Sequence, residues 1–285
     1  MSIENDQEIA LFLTRPQSAP LELSRGLLDI AIVGDDWIIE ETSSGKDVGI
    51  IKIGDLGYGQ TRLVVAIPSN SPYKSLTDFF IKSREKPVLC FTEYVNITRK
   101  KFMENEGYKR RFGKKSPLIQ IRGLTNGEND LVQIINSDGV TEGYITKGAD
   151  IVVDNSQSGK TLKEYGLIEL EQIMESSVGL YAGPTCIEWK ETKAGEIFEQ
   201  LRGAVIGKKY SYVMFNIPNK DLEDLKFYLT SEGLCFDEPT VIRGNAYASV
   251  HILIPKFKFP LVLRTLKEDF DASGIVRIKV TQVIR

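Results

Sequence analysis

The stretch ADIVVDNSQSGKTL, residues 149–162, runs from small apolar residues into a loop of hydroxyls, acids and one glycine. The loop follows a strand-like run and precedes a short helical stretch, TLKEYG, the kind of place where α/β proteins hold ligands. The amides of Ser158, Gly159, Lys160 and Thr161 can converge on an anion there. Gly159 lets backbone approach a phosphate, and Ser158 and Thr161 add hydroxyl donors. Three chemistries compete for this pattern. SGKT resembles the end of the nucleotide-binding pattern G-x-x-x-x-G-K-[ST], but the first glycine of that pattern falls at Asp154, whose carboxylate repels phosphates. A polar turn with Ser158 capping the helix needs no ligand. A phosphoribosyl pyrophosphate loop uses both halves of the pattern. Amides and hydroxyls take the 5′-phosphate, and Asp150 or Asp154 hydrogen-bonds the ribose hydroxyls.

Around these residues the chain must build strands and a cleft. With 285 residues, 42% of them hydrophobic, it can bury two or three cores. Lysine and arginine total 36 against 39 aspartate and glutamate, a net charge of -3, so no global field draws the protein to nucleic acid or an anionic membrane. An anionic substrate must be held by a local site. Three scattered cysteines, Cys90, Cys186 and Cys235, point to buried thiols rather than a disulfide framework. A single histidine, His251, and no CxxC argue against a structural zinc site. The N-terminal MSIENDQEIALF lacks a basic region followed by an apolar one, and no run approaches a membrane span. A soluble cytoplasmic protein is expected.

Short apolar strands alternate with helical or loop segments over the first two thirds: EIALFLT, LLDIAIVG, RLVVAIP, PVLCFTE, LIQIRGL and DIVVD. A helix is expected from Asn96 to a stop at Gly107, and IELEQIMESSVGLYAG reads as an extended return segment. The alternation predicts an α/β fold with largely parallel sheets, GPT at 183–185 a hinge, and KAGEIFEQLRGAV a helix. The last eighty or so residues follow the order βαββαβ, a ferredoxin-like split. His251 alternates with Val250 and Ile252 on one of those strands, a half-exposed position, and Trp37 and Trp189 read as packing residues.

Several segments together resemble one family. Asp154–Leu162 is similar to the phosphoribosyl pyrophosphate loop, D-x-x-x-[ST]-G-x-T-L, of ATP phosphoribosyltransferase, the first enzyme of histidine biosynthesis. In the same order, RPQSAPLELSRGLLDIAIVGDDWIIE, DLGYGQTRLVVAIP, FTEYVNITRKKF and TEGYITKGADIVVD resemble other motifs of that family, and VMFNIPNKDLEDL resembles the start of its regulatory domain. The resemblance implies a long-form enzyme with a two-lobed, type II periplasmic-binding-protein-like catalytic core and a C-terminal ferredoxin-like βαββαβ domain. Residues 1–85 and 178–203 would form the first lobe, 86–177 the second, and 204–285 the regulatory domain. The implied reaction joins N1 of ATP to C1 of phosphoribosyl pyrophosphate and releases pyrophosphate. Mg²⁺ accompanies the phosphates, histidine inhibits, and the chain assembles as a homo-oligomer, dimer to hexamer.

Departure of pyrophosphate leaves positive charge on the ribose, which nearby carboxylates stabilise; Asp150, Asp154 and Glu142 are the candidates. Asp154, Ser156, Ser158, Gly159, Lys160 and Thr161 would bind phosphoribosyl pyrophosphate. Arg15, Arg62 and Arg99 offer guanidinium forks for triphosphate or pyrophosphate, and Thr92, Glu93 and Tyr94 follow a strand toward the nucleotide. The plain alternatives are a surface ion pair for each arginine, a solvated acid for Glu142 and a place in the core for Tyr94. The family begins several dozen residues earlier with a strand and a K-G-R-L loop that nothing here matches. A late start of this chain or a rebuilt ATP side is expected, with the phosphoribosyl pyrophosphate half intact. A salvage-type phosphoribosyltransferase would carry a second acid where Asn155 stands and has no ferredoxin-like tail; a non-catalytic phosphoribosyl sensor on the same fold is the other alternative.

Overall fold

A computed structural model describes residues 2–3, 6–43, 45, 48–83 and 86–283, with side chains from Glu8 onward. The chain divides into two compact units, Met1–Ala194 and Gly195–Arg285. No helix among the described residues is long and apolar enough to cross a membrane.

The first unit holds a seven-stranded and a three-stranded sheet, besides a two-stranded pair of Ser2–Ile3 and Asp6–Ala10. RLVVAIP lies within the strand Thr61–Pro68, whose residues Leu63–Ile67 are buried on both faces, as an unbroken apolar run in a central strand requires. It pairs antiparallel with Leu167–Ser176 on one side and with Ile151–Ser156 on the other. From Ile151–Ser156 the sheet continues in parallel through Val88–Thr92, Asn129–Asn136 and Pro117–Ile121, and a hairpin to Leu124–Asn126 closes its far edge. The parallel order is therefore confined to four strands. In the smaller sheet Val178–Ala182 runs antiparallel to both Ile30–Gly34 and Ile51–Asp55. The chain crosses between the sheets twice, at residues 56–60 and at Ser177. These crossings are tied together by Leu56 N–H to the Val178 carbonyl, 3.0 Å, and Val178 N–H to the Tyr58 carbonyl, 3.1 Å. Thr61–Pro68, assigned to the first lobe by the sequence reading, thus pairs within the larger sheet.

Three local expectations change. EIALFLT is strand only through Ala10; Leu11, Phe12 and Leu13 are exposed and lie beyond the strand's end. LIQIRGL bends at Arg122–Gly123 into the edge hairpin. Gly107 does not end a helix. The helix Val95–Glu104 stops at Asn105, whose side chain caps a second helix, Glu106–Phe112, by accepting from the Gly107 and Tyr108 amides. Gly107 is there for closeness, since a Cβ would stand 2.4 Å from the Thr77 carbonyl oxygen.

The second unit begins inside the helix Trp189–Lys209 and then follows βαββαβ with sheet order Thr240–Arg243, Tyr247–Pro255, Tyr210–Pro218, Ser273–Lys279, the ferredoxin-like arrangement. Alternation in YASVHILIP buries Ala248, Val250, Ile252 and Ile254 against Leu225, Leu229, Val262 and Leu266 of two amphipathic helices. His251 sits on the other sheet face, its Nδ1 2.9 Å from the Tyr212 hydroxyl. Cys90 and Cys186 are buried free thiols and Cys235 is half-buried.

Candidate active site

Asp154 is the last but two residue of the strand Ile151–Ser156, half-buried at the strand's C-terminal end. Burial raises its carboxyl pKa to about 7 against the opposing pull of the Asn155 amide, and the neighbouring charges of Glu142 and Glu93 push the same way. Glu142 comes from the short 3-10 helix Thr141–Lys147, and Glu93 from the turn after Val88–Thr92. One Glu93 oxygen accepts from the Gly139 amide at 2.8 Å. Three of the expected residues therefore form one carboxyl cluster beside the loop. Such a cluster can hold a proton near neutrality or face a developing ribosyl cation. Among the described residues no group of three or more His, Cys, Asp or Glu has the geometry to hold a metal ion.

Asp150 is not part of this cluster. It precedes the same strand, four residues back, and about 13 Å of extended chain separates it from Asp154. Its carboxylate accepts from the Leu89 amide at 3.1 Å and pairs with Lys86 at 3.3 Å. Strand polarity alone puts the two acids at opposite ends of the sheet.

The loop itself turns at Gly159, where φ is +69°, a conformation that suits glycine. Ser158, Lys160 and Thr161 are exposed, and the Lys160 amide donates to the Ser158 hydroxyl at 3.4 Å. Ser156 is buried and gives its hydroxyl to Glu169 Oε1 at 3.0 Å. Arg62 holds the same carboxylate in a two-pronged grip, 2.8 Å to Oε2 and 2.9 Å to Oε1, and this holds the Glu169 pKa below the ordinary glutamate value. Arg62 also lines a cavity of ≈ 660 Å³ with Gln157, Asp35, Asp55 and Glu175. The ion pair and the cleft lining thus coincide in one arginine. Glu169 was not expected at the site: IELEQ reads only as part of an extended return segment.

A buried polar knot joins the two sheets. Asp36, on the helix Asp35–Thr42 that follows the smaller sheet, accepts from the Tyr94 hydroxyl at 2.7 Å, Asn155 Nδ2 at 2.8 Å and the Ser176 hydroxyl at 2.9 Å. Asn155 also donates to the Tyr94 hydroxyl. Gly34 makes room for this carboxylate, because a Cβ there would stand 2.2 Å from Asp36 Oδ1. Tyr94 stacks on Trp37 with ring centroids 4.4 Å apart, and burial and then the Asp36 charge raise its hydroxyl pKa far above the usual range. Tyr94 is therefore a core residue. Buried Thr92 accepts from its amide at 2.9 Å. One turn further along its helix, Glu40 accepts from the Asn96 and Ile97 amides at 2.8 and 2.9 Å, capping the helix Val95–Glu104. Burial raises the Glu40 pKa.

Neither Arg15 nor Arg99 lines the cavity that Arg62 does. Arg15 lines a second cavity, ≈ 830 Å³, with Glu93, Glu40 and Trp37, and Arg99 lies half-buried on the helix Val95–Glu104. Asp35, which neither composition nor spacing marked, accepts from Lys52 at 2.7 Å and from the Tyr181 and Ser177 hydroxyls. Burial opposes its ionisation, but these donors hold its pKa below the usual value.

The family model for ATP phosphoribosyltransferase matches residues 15–203, which carry both sheets from Ile30 onward and the whole loop. The chain belongs to the ATP phosphoribosyltransferase family. Among similar curated proteins, ATP phosphoribosyltransferase of Thermodesulfovibrio yellowstonii is 26% identical over 98% of this chain and 86% of its own length. That of Pyrobaculum calidifontis is 25% identical over 98% and 86%. A solved ATP phosphoribosyl transferase (HisG:HisZ) complex from Thermotoga maritima is 22% identical, with a TM-score of 0.49, over 67% of this chain and 77% of that one.

Proposed function

We propose that the chain joins ATP, through N1 of adenine, to phosphoribosyl pyrophosphate, giving phosphoribosyl-ATP and pyrophosphate as the first step of histidine biosynthesis. Family membership supports the reaction class, a pentosyl transfer. The observation that carries the site is the loop that leaves the strand at Ser156, two residues after Asp154, with Glu142 and Glu93 drawn to the same point.

In this reading the loop hydroxyls and amides of Ser158, Gly159, Lys160 and Thr161 take the 5′-phosphate, and Asp154 faces the ribose. Ionised, Asp154 stabilises the positive charge that develops as pyrophosphate leaves, and Glu142 adds to the same field. Adenine N1 is already nucleophilic, so the protein's main work is to align it with C1 and neutralise the leaving group. Arg62 serves the pyrophosphate side, and Arg15, in the wider cavity with Glu93, serves the nucleotide. Mg²⁺ arrives with the phosphates as part of the substrate and keeps substrate oxygens and water as its ligands. The regulatory domain, residues 204–285, binds histidine as an inhibitor and joins copies of the chain into an oligomer, dimer to hexamer. Residence in the cytoplasm belongs to the same proposal.

The test is to incubate the protein with ATP, phosphoribosyl pyrophosphate and Mg²⁺ and to search by mass spectrometry for phosphoribosyl-ATP. The adduct is expected, and Gly159→Val is expected to reduce it by about two orders of magnitude by displacing the loop. Binding of both substrates with no adduct under any condition would leave a sensor in place of an enzyme.

A further inference from the structure

The pairing of Arg62, Ser156 and Glu169 is unusual in its place rather than its chemistry. A guanidinium fork and a hydroxyl are what a phosphate oxygen asks for, and here both are spent on a carboxylate. Glu169 comes from the edge strand Leu167–Ser176, and its oxygen Oε1 lies at the mouth of the loop, 3.1 Å from where a Cβ on Gly159 would stand. It is half-exposed, as is Arg62, so neither is locked in by packing. The cavity that Arg62 lines opens alongside, with Gln157 of the loop in its wall.

We infer that Glu169 is a built-in competitor for the phosphate donors of the loop: its carboxylate occupies Arg62 and Ser156 until a substrate phosphate displaces it. The inference rests on the reading of residues 156–161 as a phosphoribosyl pyrophosphate loop. Two consequences follow from charge alone. While Glu169 is in place, its negative charge repels a phosphate approaching Gly159 and it satisfies the two donors that would attract one. When a phosphate enters, the carboxylate swings toward solvent and Arg62 is released to the incoming anion. Exchange of one anion for another costs less than stripping an arginine bare, because the guanidinium is never left unpaired in a half-buried place. The competitor thus trades affinity for a loop that stays ordered when empty, and it disfavours weak single-charge anions most.

Glu169→Gln keeps the shape and the amide oxygen for Arg62 and Ser156 but removes the charge. Phosphoribosyl pyrophosphate, which carries both the 5′-phosphate and the pyrophosphate, is the probe, titrated calorimetrically into the full-length chain at fixed Mg²⁺ without ATP. Circular dichroism and the thermal midpoint confirm that each variant is folded. Glu169→Gln is expected to bind phosphoribosyl pyrophosphate about tenfold more tightly than the unmodified chain, and Arg62→Gln about tenfold more weakly. The double variant is expected to lose most of the gain. Thr161→Val, a change inside the loop that leaves Glu169 untouched, reports on the underlying reading and is expected to weaken binding in both backgrounds.

If Thr161→Val weakens binding while Glu169→Gln also weakens it or leaves it unchanged, the loop binds phosphate and Glu169 is a plain structural support for Arg62. The competitor is then wrong and the loop reading stands. If Thr161→Val has no effect in either background, phosphoribosyl pyrophosphate binds elsewhere, and the loop reading fails together with the inference built on it.

Discussion

Asp154 keeps its proton up to about pH 7 because burial strips water from the carboxylate and two neighbouring acids repel its charge. An acid that must be ionised to face a ribosyl cation gives a rate that climbs with pH, so kcat/KM is expected to rise through about pH 7 and level off above it. Asp154→Asn is expected to flatten that limb and lower kcat by about 10²-fold or more; a pH–rate profile of both proteins checks it. The same shift has a stability sign. The folded chain holds this proton more tightly than the unfolded chain, whose carboxyl titrates near 3.8, so the contribution is full below that value and is lost as pH rises to about 7. Asp154→Asn is therefore expected to gain stability over the unmodified chain at pH 8 and not at pH 4, read from urea unfolding at both. Asp36 matters to stability through its hydrogen bonds. It is the shared acceptor of three donors, and Asp36→Ala removes it from the Tyr94, Asn155 and Ser176 groups at an expected cost of about 2–5 kcal/mol. Denaturant midpoints measure this directly. If Asp36→Ala unfolds within a few tenths of a kcal/mol of the unmodified chain, the knot carries no weight.

The elements show which signals a linear reading can and cannot hold. Runs such as RLVVAIP and DIVVD announced strands because a strand buried on both faces needs an unbroken apolar stretch, and YASVHILIP announced one by alternation. The loop was legible because glycine at φ +69° and clustered hydroxyls are local features. What escaped was everything that depends on partners distant in sequence. Glu169 meets Arg62 across 107 residues, and Asp36 meets Asn155 across 119. An acid in IELEQ and one in GDDW carry no mark of such encounters. Asp150 lies apart from Asp154 for a different reason: the two are near in sequence, but a strand carries its first and last residues to opposite ends of the sheet. Gly159→Ala draws on the local kind of signal. A Cβ there meets both a left-handed backbone and Glu169 Oε1 at 3.1 Å, for an expected loss of about 1–2 kcal/mol in thermal unfolding. Glycine at Gly107 reads identically in sequence yet serves packing against Thr77.

At the scale of the whole molecule, two units with separate hydrophobic cores predict separate thermal events in calorimetry of the full chain. Pyrophosphate at a hundred times its Kd is expected to raise the stability of the unit that carries the loop by about 2.7 kcal/mol and to leave the other transition in place. Histidine is expected to act on the second transition. A single transition moved equally by both ligands would mean that the units unfold as one. The larger sheet carries a consequence for how the gene can be written. Thr61 and Ser176 face each other across the ladder, so the hundred-odd residues between them leave and return at one point. To the remainder of the first unit that segment is a ring hung on two adjacent threads. The chain could be opened in a surface turn of the ring, such as Arg122–Gly123, without rethreading a single strand.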